Sequence, residues 1–403
     1  MFKPNSIARS MKWPFMTAVA LSSAMASASG ILLQEAVVAN AGTTGAGDGV
    51  YTGSAAAMWT NPATMSFMGE SKTTVNAMGF DLKLNYNSDR HSALDGSSQT
   101  TQPALAVFHA RQITDEMHFG IGFGAAGGSS LDYGKQWAGA PFLESTTLML
   151  LQINPTLSYQ IDDKWSVGAG AQINYVSFEQ DTLLMSIEQE TDWAMGVTFG
   201  AMYRHNDDLD FGFSYRSKVK HKLDARVNGA LNGDLITSAS TEVSLPAIYD
   251  LSARWGVNAD LNLLASAQWH RWSDWKELPL DLTVGGNPKD ASIERDWSDV
   301  WKLALGADYR LNADWRLKAG ISYESSPQND ASLQWFDVPV GEQWRYSVGA
   351  ATEWNGYTFD MFYEYADLGN VDLDRELVKG VPESTMKGTF DGRIHFIGLN
   401  VTF

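Results

Sequence analysis

From about residue 72 to the C-terminus the chain alternates apolar and polar side chains in segments of roughly 10 to 17 residues, and past the N-terminal leader no run of 18 apolar residues occurs. Such a pattern requires β-strands, because only there do successive side chains point to opposite sides. Trp193, Met195, Val197, Phe199, Ala201 and Tyr203 are apolar, while Asp192, Gly196, Thr198, Gly200 and Arg204 take the other face. Trp315, Leu317, Ala319, Ile321 and Tyr323 oppose Arg316, Lys318, Gly320, Ser322 and Glu324 in the same way. A soluble sandwich alternates as well. Connection lengths have to decide whether the apolar face meets a core or lipid.

The alternation predicts fourteen strands, at 72–87, 103–112, 117–126, 145–161, 165–180, 190–204, 209–227, 239–257, 260–277, 296–311, 314–326, 341–354, 357–370 and 387–403. After every even-numbered strand but the last comes a tight polar turn: Thr114-Asp115-Glu116, Asp162-Asp163-Lys164, 205–208, Asn258-Ala259, Asn312-Ala313 and Asn355-Gly356. After each odd-numbered strand comes something longer, such as 88–102, 127–144, 278–295 and 371–386. An even strand count with short and long connections in alternation is the arrangement of outer-membrane barrels, with periplasmic turns and extracellular loops. The expected fold class is all-β, a 14-stranded antiparallel transmembrane β-barrel over 72–403.

Aromatic positions give a second test. Tyr159, Trp165, Tyr203, Phe211, Trp255, Tyr309, Trp315, Trp354 and Tyr357 lie on the apolar face within a few residues of the short turns, where an interfacial girdle sits. In the last segment Ile397, Leu399, Val401 and the terminal Phe403 alternate with Phe396, Gly398, Asn400 and Thr402. A C-terminal aromatic on an amphipathic strand is similar to the recognition signal of the barrel assembly machinery.

The first residues read as an address label. Lys3, Arg9 and Lys12 precede a mostly apolar stretch at 13–20 and a small-residue run at 21–30 that holds Ala24-Met25-Ala26 and Ala26-Ser27-Ala28. This is the pattern of a secretory signal peptide, and the second small-x-small site gives 1–28 as the leader. Its removal takes the formal charge from −18 to −21, since three basic residues leave with it. That balance argues against a nucleic-acid binder. The absence of cysteine excludes disulfide scaffolds, thiolate zinc sites, cysteine nucleophiles and a lipidated N-terminal cysteine.

Between leader and first strand lies an Ala/Gly-rich segment, 29–71. Its stretch Gly49-Val50-Tyr51-Thr52-Gly53-Ser54-Ala55-Ala56-Ala57-Met58-Trp59-Thr60-Asn61-Pro62-Ala63-Thr64-Met65 resembles the N-terminal plug, or hatch, of the FadL/TodX family of hydrophobic-compound channels, whose hallmark is a small-residue run into Asn-Pro-Ala. Further similarities follow in order: Ile153-Asn154-Pro155, Leu245-Pro246, Trp272-Ser273, and Gly320-Ile321-Ser322-Tyr323 leading to Ser326-Pro327. The resemblance implies a monomeric barrel closed by its hatch, in the outer membrane of a Gram-negative bacterium, taking up long-chain fatty acids or other apolar molecules passively. It also implies sideways release at a kink in the third strand, with the segment holding Asn61, Pro62 and Ala63 lying against that kink.

The third strand is unusual on its own terms. Gly120, Gly122 and Gly124 fall on the lumen face opposite Phe119, Ile121 and Phe123, and Gly127 and Gly128 follow. Glycines inside a strand mark a bend or a close approach of other backbone. Room for the hatch and a lateral gate are both compatible with them.

A ligand with an anionic head needs a cation, since a buried carboxylate without a partner is costly. Arg216, Lys218, Lys220 and Lys222 share parity with Asp210 and Ser214, which places a basic ladder on the lumen face. In the alternative reading the strand has already left the membrane there, and the lysines are solvated or touch lipopolysaccharide phosphates. Lys302, Arg310, Arg316 and Lys318 also face inward by parity, where pairing with Asp308 and Glu324 explains them. An aromatic or alkane ligand would need no cation, so the substrate stays open.

Two other function classes compete with a channel. An outer-membrane hydrolase would carry a Ser-His-Asp arrangement, and none stands out around the seven histidines. An open porin or adhesin explains the barrel but not the hatch. No catalytic residue, metal site or cofactor is expected. An energy-coupled receptor needs about 22 strands, more than this length holds.

Overall fold

The computed structural model describes residues 32, 34–229, 236–377 and 384–403. The expected leader, 1–28, lies outside them. The described residues form eighteen strands: β1 (Ser71–Ser88), β2 (Gly96–Gln112), β3 (Met117–Asp132), β4 (Ser145–Gln160), β5 (Trp165–Asp181), β6 (Met185–Asn206), β7 (Leu209–Arg216), β8 (Val219–Gly229), β9 (Ile236–Leu245), β10 (Ile248–Gly256), β11 (Leu261–His270), β12 (Glu277–Val284), β13 (Asn287–Glu294), β14 (Val300–Arg310), β15 (Trp315–Glu324), β16 (Gln343–Trp354), β17 (Tyr357–Glu376) and β18 (Thr385–Thr402).

Fourteen of these form the closed antiparallel wall, in the order β1 to β7, then β10, β11 and β14 to β18. β18 closes on β1 from Thr74↔Thr402 to Ser88↔Gly388, and Phe403 exchanges both backbone bonds with Thr73. The four remaining strands, β8, β9, β12 and β13, pair in that order as a sheet continuing above the wall.

The outward face is banded as a bilayer requires. Trp165 stacks on Tyr203 at the short-turn end, while Tyr215, Tyr249, Trp269 and Trp301 form a continuous stack toward the other end. Tyr175–Trp193 and Tyr323–Trp344 extend this upper belt. From Trp301 to Tyr309 the outward residues are Leu303, Leu305 and Ala307, which at about 3.3 Å per residue and a tilt near 40° gives an apolar band roughly 20 Å tall.

The fold departs from the sequence expectation where the wall ends. The strands expected at 209–227 and 239–257 each break, between Arg216 and Val219 and between Leu245 and Ile248. No residue is inserted, since Arg216 pairs with Ile248 below and Val219 with Leu245 above, three residues on along both strands. The buried face nevertheless changes parity, from Gly212 and Ser214 below to Val219, His221 and Leu223 above. Pro246 stands in the break and brings no N–H to the ladder. The expected loop 278–295 contains most of the hairpin β12–β13, and β5 and β6 are joined by only Thr182, Leu183 and Leu184.

Residues 34–70 fill the lumen with short helical turns, Gln34–Val37, Asp48–Val50, Ala57–Thr60 and Pro62–Phe67. Such a segment has few internal partners for its backbone, so the wall must supply them. Asn76 and Asn400 donate to the Val38 carbonyl, Ser166 donates to that of Ala63, and Ser266 and Thr74 accept from the amides of Gly47 and Ala55. This explains the polar inner face of the strands. Above, two connections roof the lumen, with Phe336 packed on Trp137 and Phe142. The buried pair Arg295–Asp337, at 2.6 Å, anchors that roof, although burial pushes the Asp337 carboxyl up and the nearby guanidinium only partly offsets it.

Candidate functional site

β3 is built around its glycines. A side chain at Gly120 would meet Met65 and Met58, one at Gly122 would meet Phe108 and Trp59, and one at Gly124 would meet Ala106 and Val37. All three give room to the hatch or to β2. Just above, β3 parts from β2: their ladder runs from Gln112↔His118 to Ala106↔Gly124 and stops. β2 continues on β1 alone to Tyr86↔Gly96, and β3 on β4 alone to Asp132↔Ser145, with a bulge between Ala125 and Gly127. At Gly128 φ is +143° and a Cβ would lie 2.7 Å from the Leu148 carbonyl oxygen, so the bend requires glycine there. Leu32 bridges to Gly127, which puts hatch backbone beside the opening.

Asn61, Pro62 and Ala63 lie elsewhere. Asn61 Nδ2 donates to the Gly49 carbonyl at 2.8 Å and to that of Ala201, on β6, at 3.0 Å, while its Oδ1 accepts from the Ala63 amide. Pro62 packs against Gly168 of β5. The Asn-Pro-Ala turn is therefore fixed to β5 and β6, not against the third-strand bend as the resemblance implied. Trp59, Met58 and Val37 take that place.

Between hatch and wall a cavity is lined by Val37, Trp59, Ala126, Arg216, Pro246 and Phe362, among others. Arg216 reaches it half-buried. Its Nη1 donates to the Trp59 carbonyl at 2.7 Å and its Nη2 to Gln152 Oε1 at 2.7 Å and Gln172 Oε1 at 2.9 Å, with the Trp59 ring 5.1 Å away. Among the described residues no carboxylate lies within ion-pair distance of it. Other luminal cations do have one: Arg316 holds Asp308 at 2.8 Å, Lys318 holds Asp360, and Arg345 holds Glu35 of the hatch at 2.8 Å. Lys302, also on the cavity, faces Glu324 across the strands but gives its ammonium to Gln34 Oε1 at 2.6 Å. Asp48 ties the hatch together, accepting from the amides of Ala39 and Asn40.

The basic ladder does not assemble. Lys218 lies in the break between β7 and β8, where it pairs with Asp274 at 3.0 Å, and Lys220 stands past the parity change, in the sheet above the wall, where it pairs with Glu242 at 3.1 Å. Only Arg216 is luminal. The residues that hold it, Trp59, Gln152 and Gln172, were not singled out in the sequence, although Gln152 and Gln172 have the inward parity of Asn154 and Asn174.

A hatch of this size inside a fourteen-stranded wall that parts between its second and third strands is a specific architecture. A family model described as outer membrane protein transport protein (OMPP1/FadL/TodX) matches residues 19–403. The chain belongs to this family. The Haemophilus influenzae outer membrane protein P1 is 22% identical, over 96% of this chain and 97% of its own. The long-chain fatty acid transport protein of Escherichia coli K12 is 20% identical, over 96% of each. Among solved structures, a Pseudomonas aeruginosa FadL homologue superposes with a TM-score of 0.82 at 21% identity, covering 93% of this chain and 99% of that one. The toluene transporter TodX of P. putida gives 0.72 at 16%, covering 91% and 98%. The FadL/TodX chain described here is an outer-membrane β-barrel of a family that transports hydrophobic compounds, and family members are channels, not enzymes.

Proposed function

We propose that this chain is a passive channel for amphipathic hydrophobic compounds, with long-chain fatty acids as the favoured class. The observation that carries this reading is Arg216, a luminal guanidinium on the cavity whose partners are all neutral. An incoming carboxylate forms a charge-assisted pair with it, stronger than the bonds it displaces, while the tail lies along Val37, Trp59 and Phe362. The binding also couples to the hatch. Taking Arg216 away from the Trp59 carbonyl loosens the residue that packs on Phe108 and faces Gly122, beside the parted strands β2 and β3, where the ligand leaves sideways. The protein acts as a monomer in this scheme, and Phe403 serves the assembly machinery.

The test is uptake by Arg216→Ala. Oleate uptake falls while toluene passage persists; unchanged oleate uptake removes Arg216 from the mechanism.

A further inference from the structure

The wall is interrupted a second time, at a place no part of the foregoing scheme uses. β6 pairs with β7 up to Thr198↔Arg216, and with β8 only at Ile187↔Val227, Ser186↔Asn228 and Met185↔Gly229. Eleven residues along β6 and eleven along its neighbour separate Thr198↔Arg216 from Ile187↔Val227, but the faces do not match in between: β6 carries one extra residue against β5 between Ile187 and Glu190 and turns its even residues inward from there, whereas β8 turns its odd residues inward from Val219, so the two strands run out of phase and form no ladder. Between these points 188–196 of β6 have no ladder partner on this side.

The slot has a sill, a latch and a lintel. At the sill Val197 N donates to Ser217 Oγ and Ser217 N to the Val197 carbonyl, each at 2.8 Å. At the lintel Asn228 Nδ2 donates to Glu188 Oε1 at 2.6 Å. Midway, Asp192 Oδ2 lies 3.0 Å from His221 Nδ1 and accepts from the Lys222 amide at 3.2 Å. His221 is only 1% exposed, and its Nε2 has no hydrogen-bond partner. Outside, Trp193 and Met195 on the upper belt are 62% and 69% exposed, which sets the slot at the outer-leaflet surface. Inside, Gln172 donates to the Val197 carbonyl at 2.8 Å and accepts from Arg216 at 2.9 Å, so sill and luminal cation share one side chain.

We infer that this slot is a second side window, latched by Asp192 and His221, through which an amphipathic compound with an anionic head passes between the outer leaflet and the cavity at Arg216. A barrel exposed to lipid keeps its backbone paired, and here two strands that run out of phase leave it open, with the Asp192 carboxylate on His221 and the Lys222 amide in place of a ladder. The apolar rim of Trp193 and Met195 takes a tail from the leaflet. The head passes the latch to Arg216, and pairing there frees Gln172 from the guanidinium and loosens the sill. The head-group step rests on the reading of Arg216 above; the window itself does not.

The native chain has no cysteine, so the slot can be sealed at will. Ala194→Cys with Val219→Cys, both on the inward face and each two residues along its strand from the Asp192–His221 contact, is bridged by a short thiol crosslinker cleavable by reductant, in full-length protein in proteoliposomes, with radiolabelled oleate as probe. Oleate uptake of the bridged protein falls about tenfold and returns on reduction, as for a gate on the substrate path. Equal uptake before and after reduction overturns the window. Asp192→Ala, which needs no crosslink, raises uptake about threefold by removing the latch; uptake at or below the parent level overturns the latch. Arg216→Ala is run alongside, so a loss there with no effect of the bridge defeats the window alone, and an effect of the bridge with none there defeats the head-group reading alone.

Discussion

The Arg216 guanidinium donates to the backbone carbonyl of Trp59 at 2.7 Å, joining the barrel wall to the segment that fills it. Trp59 in turn packs edge-on against Phe108 of β2, with ring centroids 5.9 Å apart. One cation thus touches the hatch on the strand pair that parts above Ala106↔Gly124.

Trp59 is therefore the hatch residue whose loss should open the channel. Trp59→Ala removes a buried ring that packs on Phe108 and faces Gly122, at a cost of about 3–5 kcal/mol spread over hatch and wall. Single-channel conductance in planar bilayers is expected to rise from the closed level of the parent. Deleting 29–60 should raise it further, and conductance no higher than the parent's after the deletion would remove the hatch as the closure.

The hatch's other anchor is testable at a wall glycine. A Cβ at Gly200 would overlap Asn61 Oδ1, whereas one at Gly229 meets nothing. Gly200→Ala must displace Asn61 and break its buried bonds to Gly49 and Ala201, costing about 1–3 kcal/mol. Gly229→Ala is expected within about 0.5 kcal/mol of the parent. Thermal unfolding followed by the gel mobility of the folded barrel measures both.

Lys218 and Lys220 give the contrast to Arg216. Lys218–Asp274 stands at the break between β7 and β8, and Lys220–Glu242, in the sheet above the wall, is exposed on both sides, a setting in which such pairs contribute about 0–1 kcal/mol. Lys218→Ala with Lys220→Ala should leave oleate uptake within twofold of the parent, an estimate of about 0.4 kcal/mol in transport. A loss comparable to that of Arg216→Ala would restore the basic ladder.

That contrast also shows how far the sequence could be read. Period two fixes which face each residue takes only while the pairing stays regular, and it did so through the wall: Trp165, Tyr203, Trp255, Tyr309 and Trp354 all face outward at the short-turn end. It failed at Lys218, because the change of face between Arg216 and Val219 needs no inserted residue and leaves no mark in spacing. Pro246 on the neighbouring strand was the one local signal. The lower belt was legible because its residues sit beside recognisable turns; the upper one, Tyr215 to Trp301, ends in mid-strand and lacks such a landmark. The glycines of β3 announced a close approach without saying what approached, and Gln152 and Gln172 gained meaning only once Arg216 was seen between them.

The last prediction concerns the pair that ties the hatch's first turn to the wall. Arg345 Nη1 lies 2.8 Å from Glu35 Oε1 and 3.9 Å from Glu364 Oε1, all three side chains buried. Removing the cation and removing the hatch carboxylate are not equivalent. Arg345→Leu leaves two carboxylates facing each other without their guanidinium, and breaking a buried pair in this way costs about 3–5 kcal/mol. Glu35→Gln keeps a hydrogen-bond acceptor and leaves Glu364 beside Arg345, so about 1–2 kcal/mol is expected. Thermal unfolding should rank them in that order, with Arg345→Leu the less stable. If the variants melt together, Glu364 is not sharing the guanidinium, and the Glu35 contact alone holds the hatch's first turn.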